Sequence, residues 1–489
     1  MTRKLPWLPY VFREKELNKI NSCLALEPNS IDLLLAKADL LTGLGRIEEA
    51  KSTYMEAVTM APTHFEALNN FGKLLFYTGF TSAARTIYKQ MIEHHPDSPI
   101  GYVNMATISY KDRELEKARE YYEKTLKLNP KQIEAHRGLS YIFREFGDEE
   151  TSKLHRRLAF ENHSVIFQPF RGKGEPITVL QLISAAGGNI PIEQFLDESI
   201  FLTAVVATEY FDLNLPLPIH KLVINAVADA DLNKEALDAV EKILAKTSAP
   251  VINYPAAVKK TTRAGTSSRL AGIPGVIAPN TINLVREVLE SDTNLQTLSD
   301  HGFKFPLLLR SPGFHTGQYF TLVANEDELA MTLPTLPGNE LMVIEYLDAR
   351  SADGKIRKYR VMMIDGNLYP LHLAISHEWK IHYFSAEMAD NPEHRAEDKA
   401  FLENMPEVLG TKAMEALKNI QNTLGLDYAG IDFSLNAKGE ILLFEANAAM
   451  NVIPPDSDER WNYRRIHVAK IFSAVKEMLL KKVDYKVPT

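Results

Sequence analysis

Three oxygen-bearing side chains interrupt two strongly apolar runs near the C-terminus, in YAGIDFSLNAKGEILLFEANAAMN (428–451). Asp432 lies in the first run, Glu445 and Asn447 in the second, and a polar turn at Asn436–Gly439 separates them. As strands of a hairpin, the runs place Glu445 and Asn447, two positions apart, on one side of the sheet, with Asp432 alongside. Two carboxylates and an amide oxygen on one face make a hard-oxygen site suited to Mg²⁺ carrying nucleotide phosphates. Pairing with surface lysines does not explain why such groups interrupt two apolar strands.

Cationic residues that could face those phosphates lie upstream. FKFPLLLRSPGFHTGQYF (303–320) reads as strand, turn, strand, with Arg310 ending the first strand. Gly313 and Gly317 permit a tight loop whose backbone N–H groups can face phosphate oxygens, with His315 and Thr316 at its tip. Read alone, it is an ordinary hairpin. In 249–281 a strand ending in Asn-Tyr-Pro precedes a basic helix start. Its Lys259, Lys260, Arg263 and Arg269 form either a solvated face or a polyphosphate contact. LMVIEYLDAR (341–350) is a buried strand; in a nucleotide pocket Glu345, Tyr346 and Leu347 could offer backbone to adenine, and Asp348 could hold ribose. IRKYRVMMIDGNLYPLHLAIS (356–376) is a hairpin on an Asp-Gly-Asn turn, which brings Arg360 and His372 onto neighbouring strands.

These groups need a scaffold, and the chain supplies two kinds. Its 489 residues suggest roughly three domains at about 150 residues each. Up to about residue 165 the ruler is 34 residues. Pro28, Pro62, Pro96 and Pro130 share that spacing, as do Ala38, Gly72, Ala106 and Ser140. So do Ala50, Ala84, Ala118 and Ser152, and then Tyr54, Tyr88, Tyr122 and Arg156. Gly45, Gly79 and Gly147 form a further series, broken by Arg113. Small residues let antiparallel helices approach, tyrosine fills the space beside them, and glycine and proline punctuate the pairs. Tyr77, Tyr110 and His136 could line a groove, although most such residues only pack. From about Phe170 the period stops. ITVLQLIS (177–184), FLTAVVATEY and KLVINAVAD read as strands, AAGGN as a turn, and 233–247 as a helix capped by Asn233, which together indicate a small α/β domain with a largely parallel sheet.

Lysine plus arginine total 55 and aspartate plus glutamate 63, a net charge of −8, which argues against a phosphate-neutralising nucleic-acid binder. Cys23 alone excludes an intramolecular disulfide or a multi-cysteine metal site and fits a reducing compartment. With no apolar h-region and no uninterrupted apolar stretch of membrane-spanning length, neither a signal peptide nor a membrane span is expected, and the expected location is cytoplasmic.

The first third resembles the tetratricopeptide repeat family, with four units over about 29–164 and half a unit before them. Such repeats present a concave surface, so a peptide or protein partner is implied. Taken in order, the segments over about 175–475 resemble the ATP-grasp superfamily, most specifically in the closing Asp…Glu-x-Asn hairpin. The implied architecture is multidomain: an all-α solenoid (1–165), a pre-ATP-grasp α/β domain (175–285) and an α+β two-lobed ATP-grasp fold (286–485). The resemblance implies an ADP-forming carboxylate–amine ligase working through an acyl-phosphate on a small amino-acid-like or peptide substrate, and a homodimer is compatible with it. ATP and two Mg²⁺ ions, or Mn²⁺, are the implied cofactors, with Asp432, Glu445 and Asn447 as metal ligands. Arg310 stands where the family usually has lysine, and Arg263 or Lys260 would be the second phosphate contact. The loop from Ser311 to Gly317 would close over the phosphates, and Arg360 would stabilise the acyl-phosphate and the tetrahedral intermediate. One of His315, His372, His377 and His382 could take the amine proton, while Trp379 and Tyr383 could shape a substrate pocket. Lys358 stands where an acid often precedes the family arginine, and His377 and Lys380 also depart from the pattern. A phosphotransferase and a nucleotide-sensing scaffold without catalysis remain the alternatives.

Overall fold

The computed structural model describes residues 10–314, 317–381, 383, 386–455 and 458–484. The chain divides into two compact units, Met1–Val179 with Asp197–Asn214, and Leu180–Leu196 with Leu215–Thr489. Residues 175–285, expected to be one α/β domain, contribute to both.

The first unit opens with nine helices among the described residues. They are α1 (Tyr10–Leu26), α2 (Ile31–Gly43), α3 (Ile47–Met60), α4 (Phe65–Tyr77), α5 (Thr81–His94), α6 (Pro99–Lys111), α7 (Leu115–Leu128), α8 (Ile133–Glu145) and α9 (Glu149–Phe160). Each 34-residue step gives one helix pair, and its proline stands two residues beyond α1, α3, α5 or α7, where the helix has already ended. Ala38, Ala50, Ala84, Ala106, Ala118 and Ser152 are wholly buried, and Tyr54, Tyr88 and Tyr122 pack beside them. The fit leaves no room for a methyl group. A Cβ on Gly72 would stand 2.4 Å from the Tyr88 ring, and one on Gly138 would stand 2.2 Å from that of Tyr122. In the last pair Arg156 takes the tyrosine's place, buried and donating to Ser152 Oγ at 3.0 Å.

Gly45, Gly79 and Gly147 turn between paired helices at φ 75°, 87° and 79°, and Arg113 adopts φ 62° at the same step. Packing of α6 on α7 thus overrides a local preference that costs a non-glycine residue about 1 kcal/mol. Of the groove candidates, Tyr77 is exposed and Tyr110 half-buried. His136 is buried, bonded to His155 Nδ1 at 2.8 Å and to the Pro130 carbonyl at 2.9 Å, so it is packing rather than groove. After the helices come β1 (Val165–Phe167), β2 (Ile177–Ile183) and β3 (Phe201–Ala207); β1 and β3 pair antiparallel.

In the second unit β4 (Leu222–Asn225) and β5 (Val251–Ile252) pair in parallel, joined through α10 (Lys234–Leu244). With β1 and β3 antiparallel and β4 and β5 parallel, the α/β region is mixed. Asn233 precedes α10 but does not cap it: its amide accepts from Ser184 Oγ and donates to the Gly187 carbonyl, both at 2.7 Å, and so pins the Ala185–Gly188 turn. Two short helices follow, α11 (Pro255–Val258) and α12 (Arg263–Leu270), then β6 (Val276–Ile277).

Two sheets complete the unit. The first is antiparallel, from β7 (Thr281–Val285), β8 (Leu307–Arg310), β9 (Phe320–Val323) and β10 (Glu340–Glu345), in the order β7-β10-β8-β9. The second contains β11 (Ile356–Ile364), β12 (Asn367–Ser376), β13 (Tyr428–Leu435) and β14 (Ile441–Asn447), in the order β12-β11-β13-β14-β6, with β6 parallel to β14. Register does the positioning. Arg360 pairs across to both His372 and Asp432, and Asp432 pairs to Glu445 beside a bulge. Tyr359, Val361 and Met363 occupy the opposite face of β11, where Tyr359 packs on Phe401 of the helix Pro392–Glu403. Alternation therefore reserves the other face for Lys358 and Arg360. Among the described residues, no helix is long and apolar enough to cross a membrane.

Candidate functional site

The two sheets of the second unit border a cleft of about 300 Å³. Its lining mixes apolar residues, Pro279, Phe320, Ile344, Leu347, Ile381 and Leu443, with the cations Arg263, Arg310, Lys358 and Lys380 and the acids Asp432 and Glu445. A second compartment of about 260 Å³ shares Arg263, Arg310, Gly317 and Glu445 with the first, and adds Asp229, Asp231, Arg360 and Asn447. Asp229 and Asp231 follow the C-terminal end of β4, the position at which open α/β sheets present ligand-binding loops.

Of the buried or half-buried cations at this junction, Arg263, Lys358 and Arg360 each contact a carboxylate and one does not. Arg360 grips Asp432 with Nε at 2.6 Å and Nη2 at 2.7 Å, and Lys358 Nζ adds a third contact at 3.1 Å. Burial alone would raise the Asp432 pKa, but Arg360 and Lys358 hold it far below the ordinary carboxylate range. Arg263, whose backbone N–H donates to Asp231, reaches Glu445 Oε1 at 2.7 Å. Desolvation works against the charge on Arg263, yet Glu445, Asp229 and Asp231 lift its pKa above the ordinary value. The exception is Arg310, only 9 % exposed. Its Nη2 donates to the Phe314 carbonyl at 2.5 Å and its guanidinium lies over the Phe320 ring, but no carboxylate among the described residues forms an ion pair with it. Desolvation and the nearby Arg263 bring its pKa down to about 10. Glu445, Asp229 and Asp231 offset part of this without touching it, and a buried cation with no anion in contact is costly.

Most of the anticipated residues converge on this junction. Arg263, Arg310, Gly317, Glu345, Leu347, Asp432 and Glu445 line the first compartment, and Arg360 and Asn447 the second. Gly317 lets the loop approach Lys380, since a Cβ there would stand 2.5 Å from Lys380 Cε. Tyr346, Asp348 and Gly313 are not among the lining residues, and Asp348 turns instead to Arg350 at 3.2 Å. Of the other basic candidates, Lys259 is held by Asp238 and Glu241, and Arg269 donates to the carbonyls of Lys260 and Thr423. For Lys259 the solvated-face reading therefore holds. His315, Thr316 and His382 lie outside the described residues. His372 is buried against the Tyr383 ring, and desolvation together with Arg360 keeps its pKa well below the ordinary value. It lines neither compartment, and neither does the exposed His377. Trp379 lines the cleft, whereas Tyr383 packs in the interior.

Lys358 and Lys380 had appeared in the sequence only as departures from a pattern, and Asp229 and Asp231 went unnoticed. An acid-x-acid pair just after a predicted strand end was the available signal. Among the described residues no group of three or more His, Cys, Asp or Glu is arranged to hold a metal. Register brings Asp432, Glu445 and Asn447 together, but Asp432 is taken by Arg360 and Lys358; Glu445, whose Oε2 accepts no hydrogen bond among the described residues, and Asn447 are the oxygen donors that suit a hard divalent cation.

Comparison with known proteins bears on the helices. The tetratricopeptide repeat family matches residues 31–64 and 101–132, so the N-terminal solenoid is built of tetratricopeptide repeats, a type of module that binds protein partners. Similar solved structures include MamA from Desulfovibrio magneticus RS-1, at 22 % identity over 29 % of this chain and 81 % of that one, with a TM-score of 0.27. PilF of Pseudomonas aeruginosa is 19 % identical over 30 % of this chain and 67 % of its own, with a TM-score of 0.29. A tetratricopeptide repeat protein from Parabacteroides merdae ATCC 43184 is 17 % identical over 30 % and 59 %, with a TM-score of 0.28. No curated protein matches the chain.

Proposed function

We propose that the second unit is an ATP-dependent carboxylate–amine ligase of the ATP-grasp kind, and that the repeats bring it a peptide or protein partner. The observation that carries this reading is Arg310, a buried guanidinium without a carboxylate partner where two cavities meet, beside Arg263, Lys358 and Lys380. A triphosphate laid through that junction supplies an anion in direct contact, and the apolar residues lining the first compartment suit a purine. The second compartment carries Asp229 and Asp231 as well as Arg360, which suits a small substrate bearing both an amine and a carboxylate.

In the reaction, a substrate carboxylate oxygen attacks the γ-phosphorus and the bond to the β,γ-bridging oxygen breaks, giving ADP and an acyl-phosphate. An amine nitrogen then attacks the acyl carbon, phosphate leaves with the C–O bonding pair, and the nitrogen loses a proton. Arg310 and Arg263 offset phosphate charge, Arg360 holds Asp432 in place and borders the acyl site, and the apolar walls exclude water. A divalent cation at Glu445 and Asn447, Mg²⁺ or in its place Mn²⁺, would add charge neutralisation at the transferring phosphate.

The test is a screen of the intact protein with ATP, Mg²⁺ and panels of amino acids and peptides, the products being read by mass spectrometry. The ligase reading expects ADP and free phosphate only when carboxylate and amine are both present. A phosphorylated acceptor would instead identify a phosphotransferase. Nucleotide binding without turnover, or cellular function unchanged in Asp432→Asn and Glu445→Gln, would leave a nucleotide-sensing scaffold.

A further inference from the structure

We infer that the cleft takes one divalent cation rather than two, at Glu445 and Asn447, and that Lys358 with Arg360 fills the charge position of a second ion at Asp432. The inference rests on the nucleotide reading of the cleft and concerns how its metal half is built.

The two carboxylates differ in what they have left to offer. Asp432 Oδ1 accepts from Arg360 Nε and Oδ2 from Arg360 Nη2, and Lys358 Nζ forms an ion pair with Oδ2 at 3.1 Å. Both carboxylate oxygens are engaged, and two full positive charges stand against one negative. Asp432 is 3 % exposed, and the Lys358 side chain is itself mostly buried, so water screens this cluster little. An ion arriving here would meet a surplus of positive charge.

Glu445 is different. Arg263, Arg310 and Arg360 also act on its charge, but its shortest ion-pair contact, to Arg263, and the hydrogen bond from Asn447 Nδ2 fall on Oε1, and Oε2 accepts no hydrogen bond among the described residues. Asn447 presents its Oδ1 to the Ala449 N–H, and a carbonyl oxygen keeps a second lone pair. One bare carboxylate oxygen and one amide oxygen, two positions apart on β14, suit a single oxygen-seeking cation completed by phosphate and water.

Strand geometry explains why Lys358 is the residue that intrudes. Residues 358 and 360 lie on the same face of β11, and Arg360 is in register with Asp432. An acid at 358 would add a ligand; the lysine supplies a fixed charge on a flexible stem.

Counting bound Mn²⁺ by electron paramagnetic resonance, on the full chain with the non-hydrolysable β,γ-imido analogue of ATP, tests this. Analogue binding is measured separately by calorimetry. One Mn²⁺ per chain is expected for the wild type, and two for Lys358→Asp. Should that variant fail to fold, Lys358→Gln keeps the test open, with Mn²⁺ affinity rising at least several-fold once the ammonium is gone. Two ions in the wild type, or an unchanged affinity in Lys358→Gln, would overturn the inference while leaving the nucleotide reading intact. If the analogue does not bind at all, that reading falls and the inference with it.

Discussion

Replacing Arg310 by methionine separates a ligand-binding cation from a structural one. Burial and Arg263 lower the guanidinium pKa below its ordinary value, to about 10. At 1.36 kcal/mol per tenfold in proton affinity, the fold without ligand carries about 3 kcal/mol of strain against this charge. Methionine removes it and fills similar space, at the loss of the hydrogen bond to the Phe314 carbonyl, worth about 1 kcal/mol. The ligand-free variant should therefore be more stable than wild type by about 2 kcal/mol, against the usual direction for a buried substitution. Nucleotide should reverse the order. At a hundredfold excess over Kd, ATP stabilises a binding protein by about 2.7 kcal/mol, and most of that should disappear with the guanidinium. Thermal unfolding of both proteins, with and without ATP and Mg²⁺, gives the four values needed. A variant that melts below wild type without ligand, yet gains as much from ATP, would show that Arg310 serves the fold and that the phosphate assignment is wrong.

Two further outcomes follow from packing and burial. Gly72→Ala forces a methyl group against the Tyr88 ring, and overpacking of this kind should cost about 1–3 kcal/mol in urea unfolding, with much of it recovered when Tyr88→Leu is added. Asp398 is wholly buried, accepting from Leu373 N at 2.7 Å and Tyr463 Oη at 2.7 Å, and desolvation pushes its pKa up to about 6 against 3.8 for the free side chain. Because the folded state holds this proton more tightly, stability should fall as pH rises from about 4 to 6, by about 3 kcal/mol in all, and stay reduced above that range. Asp398→Asn should flatten this part of the pH–stability curve, and an unchanged slope would place the titration on another group.

Much of the solenoid was legible without coordinates, because each repeat touches mainly its neighbours and a contact at fixed spacing leaves a periodic mark. The small residues at Ala38 and Ala50, the tyrosines at Tyr54 and Tyr88, and the glycine steps all report local packing. Arg113 shows the limit: the sequence marks it as a break in the series, while the backbone keeps the left-handed turn. The two hairpins were legible for a similar reason, since the turns at Asp365–Gly366 and Asn436–Gly439 bring Arg360 opposite His372 and Asp432 opposite Glu445, whereas the pairing of Arg360 with Asp432 joins the two hairpins and is tertiary.

What tertiary structure alone decided is how charge is distributed at long range. Lys259, Arg263, Arg269 and Arg310 look alike in the sequence. Folding gives Lys259 to the acids of α10, Arg269 to backbone carbonyls and Arg263 to Glu445, and leaves Arg310 in the cleft without an acid. Asp229 and Asp231 enter the second compartment, and Lys358 turns from a departure in a motif into a partner of Asp432. Periodicity and alternation encode neighbours along the chain and across a strand. The balance of burial against ion pairing depends on groups tens to hundreds of residues apart, and that balance decides which cations remain to meet a ligand.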